Sequence, residues 1–289
     1  MKIIKTLTGI REEMKKHRIR GRHIGFVPTM GYLHEGHLSL VEQCRNENDI
    51  TVVSIFVNPT QFAPNEDFAA YPRDFEKDEK ALREMGVDIL FLPEAGEIYP
   101  QGYLTYVEVE KLGKALCGKT RPTHFRGVTT VVLKLFNMVT PDRAYFGRKD
   151  AQQAVIIKKM VKDLNLDITI RTLPIVRDAD GLALSSRNTY LSPEEREAAL
   201  CLPRGLRKAK QLIATGLRKV TDVKKEIRKE LETNELIKID YVEVVSLTTL
   251  EPFEAGKAET EIDMNDTLTA AAIWVGRTRL IDNFILGDI

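Results

Sequence analysis

Short runs of apolar residues alternate with longer amphipathic stretches from the start of the chain to about Val176. The runs predict β-strands over Ile24–Val27, Thr51–Val57, Ile89–Leu92, Arg143–Phe146 and Ile168–Val176. The stretches between them predict helices over His37–Asn48, Asp74–Met85, Val128–Val139 and Ala151–Asp163. Strands that are apolar throughout are typical of a parallel sheet covered on both faces. Their alternation with helices therefore predicts an α/β fold with a doubly wound parallel sheet.

The pattern changes after about Asp178, where strands and helices no longer alternate. Ser192 followed by a proline is a helix-start signal, and the apolar spacing predicts one helix from there to about Ala214. Further along, the pattern predicts a helix over Val220–Thr233 and strands over Ile239–Val245, Leu268–Val275 and Leu280–Leu286. This order indicates a smaller α+β domain. We therefore expect two domains, residues 1–177 and residues 178–289, with the second acting as a lid over the site.

The composition is that of a globular protein with an ample core, since 43% of the residues are hydrophobic and 29% are charged. A formal net charge of +1 gives no general attraction to nucleic acid or membrane, so neither is expected as a partner. Cys44, Cys117 and Cys201 form no CxxC pair and are expected to be buried free thiols. No apolar run has the length of a signal or membrane-spanning segment. We expect a cytoplasmic protein.

The candidate chemistry is concentrated where the first predicted core strand meets a helix, in the sequence Val27-Pro-Thr-Met-Gly-Tyr-Leu-His-Glu-Gly-His37. His34 and His37 are three residues apart and share one face of the first helical turn. A helix start offers unpaired backbone N–H groups and the positive end of the helix dipole, which favour phosphate. Gly31 and Gly36 leave room for backbone to approach a ligand. The stretch predicts a nucleoside triphosphate site.

Three other interpretations of this stretch fail on spacing. Gly31 and Gly36 fit the start of a GxxxxGK[ST] loop, but His37 and Leu38 stand where the lysine and the hydroxyl residue belong. The sequence His-Glu-Gly-His is one residue short of the zinc-binding HExxH motif, and the chain has no GxGxxG dinucleotide motif. The remaining alternative is a glycine-rich turn with two incidental histidines, although the whole chain has only five histidines.

Two polar stretches that follow predicted strands are candidates for substrate and phosphate binding. Asn58 and Gln61 offer uncharged donors and acceptors for a small substrate with hydroxyl or carboxylate groups, or they simply form a turn. Lys149, in the sequence Gly147-Arg-Lys-Asp150, is placed to reach phosphate. Asp150 either caps the helix that follows or binds ribose or Mg²⁺.

Two further polar stretches lie in predicted loops. Leu184-Ser-Ser-Arg-Asn188 places two hydroxyls beside a guanidinium, which suits terminal phosphates or a capped turn. The phosphate interpretation is favoured because several anion-suited stretches occur in one fold. Arg121-Pro-Thr-His124 precedes a helix that we expect to begin near Gly127. His124 either contacts an anion or has a structural role.

The ordered set of motifs resembles the pantoate–β-alanine ligase family, within the HIGH-motif nucleotidyltransferase superfamily related to class I aminoacyl-tRNA synthetases. The stretches that carry the resemblance are the HIGH-type Val27–His37, the KMSKS-like Leu184–Arg187, Asn58–Gln61, Arg121–His124, Gly147–Asp150 and Gln153. The resemblance covers essentially the full chain. Leu184 departs from the family pattern, in which Met is more common, and so does Arg148, where Glu is more common. Neither departure removes a group expected to do chemistry, and both are expected to alter nucleotide affinity.

The resemblance implies a Rossmann-like N-terminal domain that binds ATP and pantoate. It implies ATP-dependent condensation of (R)-pantoate and β-alanine to pantothenate through a pantoyl adenylate, with AMP and pyrophosphate released, Mg²⁺ as cofactor and a homodimeric assembly. The ATP-binding residues carried over are Met30, Gly31, Tyr32, Leu33, His34, Glu35, Gly36, His37, Gly147, Arg148, Lys149, Asp150, Val176, Leu184, Ser185, Ser186 and Arg187. The catalytic residues among them are His34, His37, Lys149, Ser185, Ser186 and Arg187, with His37 as the family's usual proton donor. The substrate-binding residues are Asn58, Gln61 and Gln153.

Two other functions stay open at this point. Another enzyme of the superfamily would transfer AMP or CMP to a phosphorylated acceptor, but Asn58, Gln61 and Gln153 include no cation for an acceptor phosphate. A non-catalytic nucleotide-binding module would bind ATP without turnover, although the chain keeps both histidines, Lys149 and the Ser-Ser-Arg stretch.

Overall fold

The computed structural model describes residues 1–64, 66–253 and 260–287. The chain divides into two compact units. The first unit comprises Met1–Arg148 and Ile156–Pro174, and the second comprises Lys149–Val155 and Ile175–Ile289.

Six of the described strands form a parallel sheet in the first unit. They are β1 Lys2–Ile4, β2 Ile24–Thr29, β3 Ile50–Ile55, β4 Ile89–Phe91, β5 Arg143–Gly147 and β6 Thr169–Leu173. Their order is β1-β4-β3-β2-β5-β6, and every neighbouring pair is parallel. The strand order reverses beside β2, and sheets of this kind bind ligands at the carboxyl ends of the strands next to such a reversal. The predicted histidine turn leaves β2 at that end.

Helices pack on both faces of this sheet. They are α1 Leu7–Ile19, α2 Glu35–Glu47, α3 Phe75–Glu84, α4 Ala95–Ile98, α5 Cys117–Thr120, α6 His124–Val139 and α7 Ala151–Asp163, the last of which begins in the second unit. Adjacent residues of β2 enter different cores, because strand side chains alternate between faces. Phe26 packs with Phe136 and Phe146 on one face, and Val27 packs with Tyr145 on the other. The doubly wound arrangement is confirmed.

The second unit contains an antiparallel sheet, whose described strands are β7 Ile237–Ser246, β8 Asp266–Val275 and β9 Thr278–Gly287 in that order. Its other helices are α8 Pro193–Ala199, α9 Cys201–Ala214 and α10 Val220–Leu231. Leu206 of α9 and Ile227 of α10 share a core with Val242 and Ile273 of the sheet. The predicted smaller α+β domain is confirmed.

The helix predicted from Ser192 to Ala214 is in fact two helices. Pro203 has no N–H, and its ring would clash with the carbonyl of residue 199 if one helix continued. Ala199 is the last residue of α8, so the break falls where the proline requires it. Ser192 caps α8 as predicted, and its hydroxyl accepts a hydrogen bond from the N–H of Glu195 at 3.2 Å.

Helix α6 begins earlier than the sequence predicts, at His124 rather than near Gly127, so His124 belongs to the first helical turn. Cys44, Cys117 and Cys201 are buried free thiols, as predicted. Of the helices in the described ranges, none is both long enough and apolar enough to cross a membrane.

Candidate active site

The chain leaves β2 through a turn with a constrained backbone. Gly31 (φ 82°) and Tyr32 (φ 52°) both lie in the left-handed region, which is common for glycine and rare for tyrosine. A Cβ at position 31 would lie 2.9 Å from Ile55 Cγ2, so a larger residue there would be both crowded and strained. The Thr29 hydroxyl accepts a hydrogen bond from the Gly31 N–H at 3.2 Å and donates to the Ser54 carbonyl of β3 at 2.8 Å. These contacts fix the turn to the sheet.

A buried carboxylate of α3 holds the next two residues of the turn. Asp78 accepts hydrogen bonds from the backbone N–H groups of Tyr32 and Leu33, each at 2.7 Å, and is 2% exposed. Burial raises the pKa of Asp78, although both hydrogen bonds act to lower it. This residue was not among the predicted site residues. Its signal is an acidic residue four positions before the buried Leu82, on the buried face of an amphipathic helix.

His34 and His37 cap the start of α2 and lie against each other. The His34 Nδ1 accepts a hydrogen bond from the Gly36 N–H at 3.1 Å, and the His37 Nδ1 accepts one from the His34 N–H at 3.4 Å. A ring nitrogen that accepts carries no hydrogen, so the neutral form of each ring has its hydrogen on Nε2. The ring centroids are 4.1 Å apart. The structure thus brings the two predicted catalytic histidines together.

The start of α2 differs from the prediction in its backbone donors, because the expected unpaired N–H groups are mostly satisfied within the protein. Side chains accept hydrogen bonds from the N–H groups of Gly31, Tyr32, Leu33, His34 and Gly36. The N–H of His37 donates to the carbonyl of His34 at 2.7 Å. A phosphate at this turn would therefore meet imidazole donors rather than a ring of backbone donors.

Asn58 follows β3 and lies at the centre of a buried hydrogen-bond network. Its Nδ2 donates to Gln61 Oε1 and to the Gly127 carbonyl, both at 3.1 Å. Its Oδ1 accepts from the hydroxyls of Tyr99 at 2.9 Å and Thr60 at 3.0 Å. Asn58 is 1% exposed, and both amide hydrogens are used inside the protein. Tyr99 was not among the predicted site residues, since its role depends on a contact 41 residues away.

Other contacts hold Gln61 itself. Its Nε2 lies 3.0 Å from Met30 Sδ, in the turn that follows β2. Its carbonyl accepts from Arg121 Nη2 at 3.3 Å and lies 2.9 Å from His124 Nδ1, which must donate because a carbonyl only accepts. Arg121 also forms an ion pair with Glu66. Burial raises the pKa of Glu66 but this ion pair lowers it, and the resulting pKa is below its usual value. His124 thus has the structural contact that was one of its two predicted roles.

Lys149, Asp150 and Gln153 lie in the second unit, at the start of α7. Lys149 is half-buried in the 3₁₀ turn Arg148–Asp150, and its carbonyl accepts a hydrogen bond from Asn283 Nδ2 of β9 at 2.9 Å. Asp150 is exposed, and Gln153 is half-buried in the first turn of α7. The backbone of Lys149 is therefore fixed by a residue far along the chain.

The Ser-Ser-Arg stretch also belongs to the second unit. The Leu184 N–H donates to the Val176 carbonyl at 3.0 Å, which places these two predicted ATP-binding residues side by side. Ser185 caps the short 3₁₀ helix Ser186–Tyr190, and its Oγ accepts from the Arg187 N–H at 3.3 Å. The capped turn predicted as one alternative is present, and Val176 lies beside it.

The first unit thus presents two imidazoles and a primary amide at neighbouring strand ends. Each of these groups is oriented by a hydrogen bond that it accepts from another group of the protein. Donors of this kind are suited to bind a polyanion and a small polar substrate and to stabilise charge that develops between the two. Among the described residues, no group of three or more His, Cys, Asp or Glu side chains is arranged to hold a metal ion.

Comparison with known proteins gives consistent matches along the whole chain. The family model described as pantoate-beta-alanine ligase matches residues 2–285. A pantothenate synthetase of Thermotoga petrophila is 55% identical over 287 residues, covering 99% of this chain and 100% of the relative. A pantothenate synthetase of Moorella thermoacetica is 54% identical over 288 residues, covering 99% of each chain.

Solved structures agree. A crystal structure of pantothenate synthetase from Thermus thermophilus superposes with a TM-score of 0.92 at 42% identity, covering 100% of both chains. A pantoate-beta-alanine ligase from Francisella tularensis, complexed with beta-gamma ATP and beta-alanine, superposes with a TM-score of 0.77 at 34% identity. It covers 99% of this chain and 97% of that one.

Proposed function

The chain belongs to the pantoate–β-alanine ligase family, and from this premise we propose how its side chains carry out the reaction. The enzyme forms pantothenate from pantoate and β-alanine, with ATP as a further substrate. The observation that carries the proposal is the fixed pair His34 and His37, with Gln61 beside Met30 of the same turn. Donors for a phosphate and a donor for a small hydroxy acid therefore lie at adjacent strand ends.

The reaction proceeds in two displacements. A carboxylate oxygen of (R)-pantoate bonds to the α-phosphorus of ATP, the bond from that phosphorus to the bridging oxygen breaks, and pyrophosphate leaves with the bridging oxygen. The amine of β-alanine then attacks the acyl carbon of the pantoyl adenylate and loses a proton. The acyl C–O bond breaks, and AMP leaves with the oxygen that came from pantoate. Adenylation is needed because a free carboxylate has no good leaving group.

The histidines and the cationic residues act on the phosphates. His34 and His37 donate from Nε2 and stabilise the charge that develops at the α-phosphorus, because fixed donors need no reorganisation during the step. Lys149, Ser185, Ser186 and Arg187 hold the β- and γ-phosphates. The remaining ATP contacts in the proposal are Met30, Gly31, Tyr32, Leu33, Glu35, Gly36, Gly147, Arg148, Asp150, Val176 and Leu184. The complex of the Francisella relative with beta-gamma ATP supports nucleotide binding here.

Pantoate is bound by Gln61 and Gln153 through hydrogen bonds to its hydroxyl and carboxylate groups. The Gln61 Oε1 accepts from Asn58 and its Nε2 donates to Met30 Sδ, and these two hydrogen bonds fix the orientation of the amide that we propose binds pantoate. Asn58 was expected to touch substrate, but both of its amide hydrogens are used within the protein. Its proposed role is therefore to hold Gln61.

ATP enters as its Mg²⁺ complex, because Mg²⁺ usually keeps several waters and binds through substrate phosphates and one or two carboxylates. Asp150 fits this role, since it is an exposed carboxylate in the same turn as Lys149. The metal would neutralise phosphate charge. A homodimer and a cytoplasmic location complete the proposal, the first by analogy with the family and the second from three buried free thiols that suit a reducing compartment.

The test is to measure AMP and pyrophosphate release from Mg-ATP, with pantoate and β-alanine each left out in turn. The proposal predicts full turnover only with both substrates, one AMP per pantothenate, and a product without nucleotide. Release of ADP, or a product that keeps AMP, would overturn the adenylate route and favour another nucleotidyltransferase. ATP binding without release of any product would indicate a binding module.

A further inference from the structure

A buried carboxylate lies next to the proposed phosphate-binding histidines and belongs to none of the predicted motifs. Asp78 is 2% exposed, on the buried face of α3. Each of its two oxygens accepts one backbone N–H at 2.7 Å, Oδ2 from Tyr32 and Oδ1 from Leu33. These two residues directly precede His34.

The turn that Asp78 occupies has the form of an anion-binding site. Successive N–H groups beside residues in the left-handed conformation form a concave nest that attracts negative charge. Gly31 and Tyr32 supply this conformation, with φ values of 82° and 52°. The Asp78 carboxylate packs closely against this turn, because a Cβ added to Gly31 would lie 3.1 Å from Asp78 Oδ2. The negative group in this nest is therefore a side chain of the protein itself.

The position of this nest ties it to the catalytic histidines. Leu33 is covalently joined to His34, whose own N–H donates to His37 Nδ1 at 3.4 Å. A shift of the Tyr32–Leu33 backbone would consequently move both imidazoles. Tyrosine rarely adopts a left-handed conformation, and such a residue persists where surrounding contacts over-determine it. The two hydrogen bonds to Asp78 are such contacts.

We propose that Asp78 is a positioning residue for the activation of pantoate, whose carboxylate holds the backbone of Tyr32 and Leu33 so that His34 and His37 meet the phosphates of ATP. In this role Asp78 contacts neither pantoate nor ATP directly. The inference rests on the proposed function, because it requires that the two histidines act on ATP. It adds a group on a separate helix to the machinery of the first half-reaction.

The test is Asp78→Asn, which keeps the shape of the side chain but leaves it a single acceptor oxygen for two N–H groups. The first half-reaction is measured alone, as pantoate-dependent exchange of labelled pyrophosphate into ATP without β-alanine. We expect the exchange rate to fall by roughly 10²-fold, since a small misplacement of catalytic groups costs about that much. We expect KM for ATP to rise and KM for β-alanine to change less than about threefold, because that substrate meets the acyl carbon and not the phosphates that the two histidines contact.

The matched control is Glu79→Gln on the same helix, one residue away. Glu79 pairs with Arg83 at the surface, with side chains 25% and 49% exposed, so exchange should stay at the wild-type rate. If Asp78→Asn fails to fold, Thr29→Val removes the neighbouring acceptor, the hydroxyl that receives the Gly31 N–H. The same selective loss, roughly tenfold, is then expected, because the substitution removes both the hydrogen bond from the Gly31 N–H and the one to the Ser54 carbonyl.

Three outcomes separate the proposal from its premise. A selective loss of exchange in Asp78→Asn, with thermal stability still well above the assay temperature, supports the positioning role. An unchanged exchange rate, or equal changes in the KM of every substrate, overturns it. If His34→Ala and His37→Ala also leave exchange unchanged, the proposed function fails and not merely the inference about Asp78.

Discussion

At His37 one ring nitrogen serves the fold and the other carries the hydrogen available for chemistry. Its Nδ1 accepts the N–H of His34, which satisfies a donor at the helix start, and this leaves the hydrogen on Nε2. Asn58 differs, because its amide hydrogens and its oxygen are all engaged inside the protein. The hydrogen bonds of a side chain therefore distinguish a residue that we propose acts on substrate from one that holds another residue.

The substitution His37→Asn separates these two functions. The Asn oxygen replaces Nδ1 as the acceptor of the His34 N–H, while the Nε2 donor is lost. We expect the thermal midpoint to stay close to wild type and the adenylation rate to fall roughly 10²–10³-fold, as for removal of one preorganised donor.

The matched control for this substitution is His23→Asn, because the His23 side chain is 64% exposed beside Asp142. It should leave the adenylation rate unchanged. Near-normal adenylation in His37→Asn would remove the Nε2 of this histidine from the mechanism.

The Tyr99 hydroxyl orients Asn58, and through it Gln61. Burial raises the pKa of Tyr99 to about 12, so the hydroxyl stays a donor over the whole working pH range. Tyr99→Phe should raise KM for pantoate about 2–10-fold, which corresponds to one hydrogen bond of ordinary net strength. KM for ATP should not change, and Tyr103→Phe is the control, because Tyr103 contacts the Tyr99 ring in the same aromatic cluster. A rise confined to KM for ATP would contradict the assignment of Gln61 to pantoate.

At the scale of elements, close contact between α6 and the turn Pro59–Gln61 sets the position of Gln61. Gly127 of α6 faces this turn, and a Cβ there would lie 2.4 Å from the Thr60 carbonyl oxygen and 2.7 Å from Gln61 Cα. The atoms in contact are backbone, so they cannot turn aside as a flexible side chain does. The helix therefore approaches the turn as closely as glycine allows.

Gly127→Ala should consequently move the turn as well as destabilise the fold. Alanine normally favours a helix interior over glycine by about 1 kcal/mol, but overpacking costs about 1–3 kcal/mol. We expect a lower thermal midpoint and a loss of at least about tenfold in kcat/KM for pantoate, because small displacements of binding groups are costly. The control Gly96→Ala, in α4, meets no atom within 4 Å and should keep wild-type kinetics. A more stable and fully active Gly127→Ala variant would contradict the close-approach argument.

At the scale of the whole molecule, local sequence patterns predict most of the strands and helices but few of the side-chain hydrogen bonds between distant residues. The runs that became β2, β3 and β5 are apolar because both faces of the sheet are covered, and this signal is local. The pattern does not predict β1, which has three residues, or α1, whose buried residues are only Ile10 and Met14. Short or mostly polar elements owe their stability to tertiary packing rather than to their own periodicity.

The candidate site divides in the same way. His34, His37 and Gln61 could be found from the sequence because they stand in short motifs at strand ends. The sequence does not show what Asp78 and Tyr99 hold, since each acts through a partner some 40 residues away that only the folded chain brings near. The sequence also does not show that the N–H groups before α2 are already hydrogen-bonded, because their acceptor Asp78 lies on another helix.

An ion pair joins α2 to the edge strand β6 and gives the first unit a pH-dependent contribution to its stability. Glu47 accepts hydrogen bonds from Arg171, and these lower its pKa from 4.5 to about 2. Because the folded-state pKa is depressed, the contribution is fully present above the unfolded pKa and disappears as the pH falls toward 2. Glu47→Gln should therefore lower the unfolding free energy by on the order of 1 kcal/mol at pH 7. This difference from wild type should become smaller as the pH falls from 5 to 2.

Denaturant unfolding of both proteins at pH 7, 4 and 2.5 measures this difference. Glu79→Gln, which breaks a surface pair within one helix, serves as the control. A difference between wild type and Glu47→Gln that is constant with pH would show that the carboxylate charge contributes nothing.

Activation of pantoate as an adenylate can be tested by following the oxygens of its carboxylate. Pantoate labelled with ¹⁸O in both carboxylate positions is converted with unlabelled ATP and β-alanine. The ¹⁸O content of each product is then measured by mass spectrometry. We expect one ¹⁸O in AMP and one in pantothenate, because the oxygen that attacks the α-phosphorus leaves with AMP. Label in inorganic phosphate together with ADP, or unlabelled AMP with the second ¹⁸O released into water, would contradict the adenylate route.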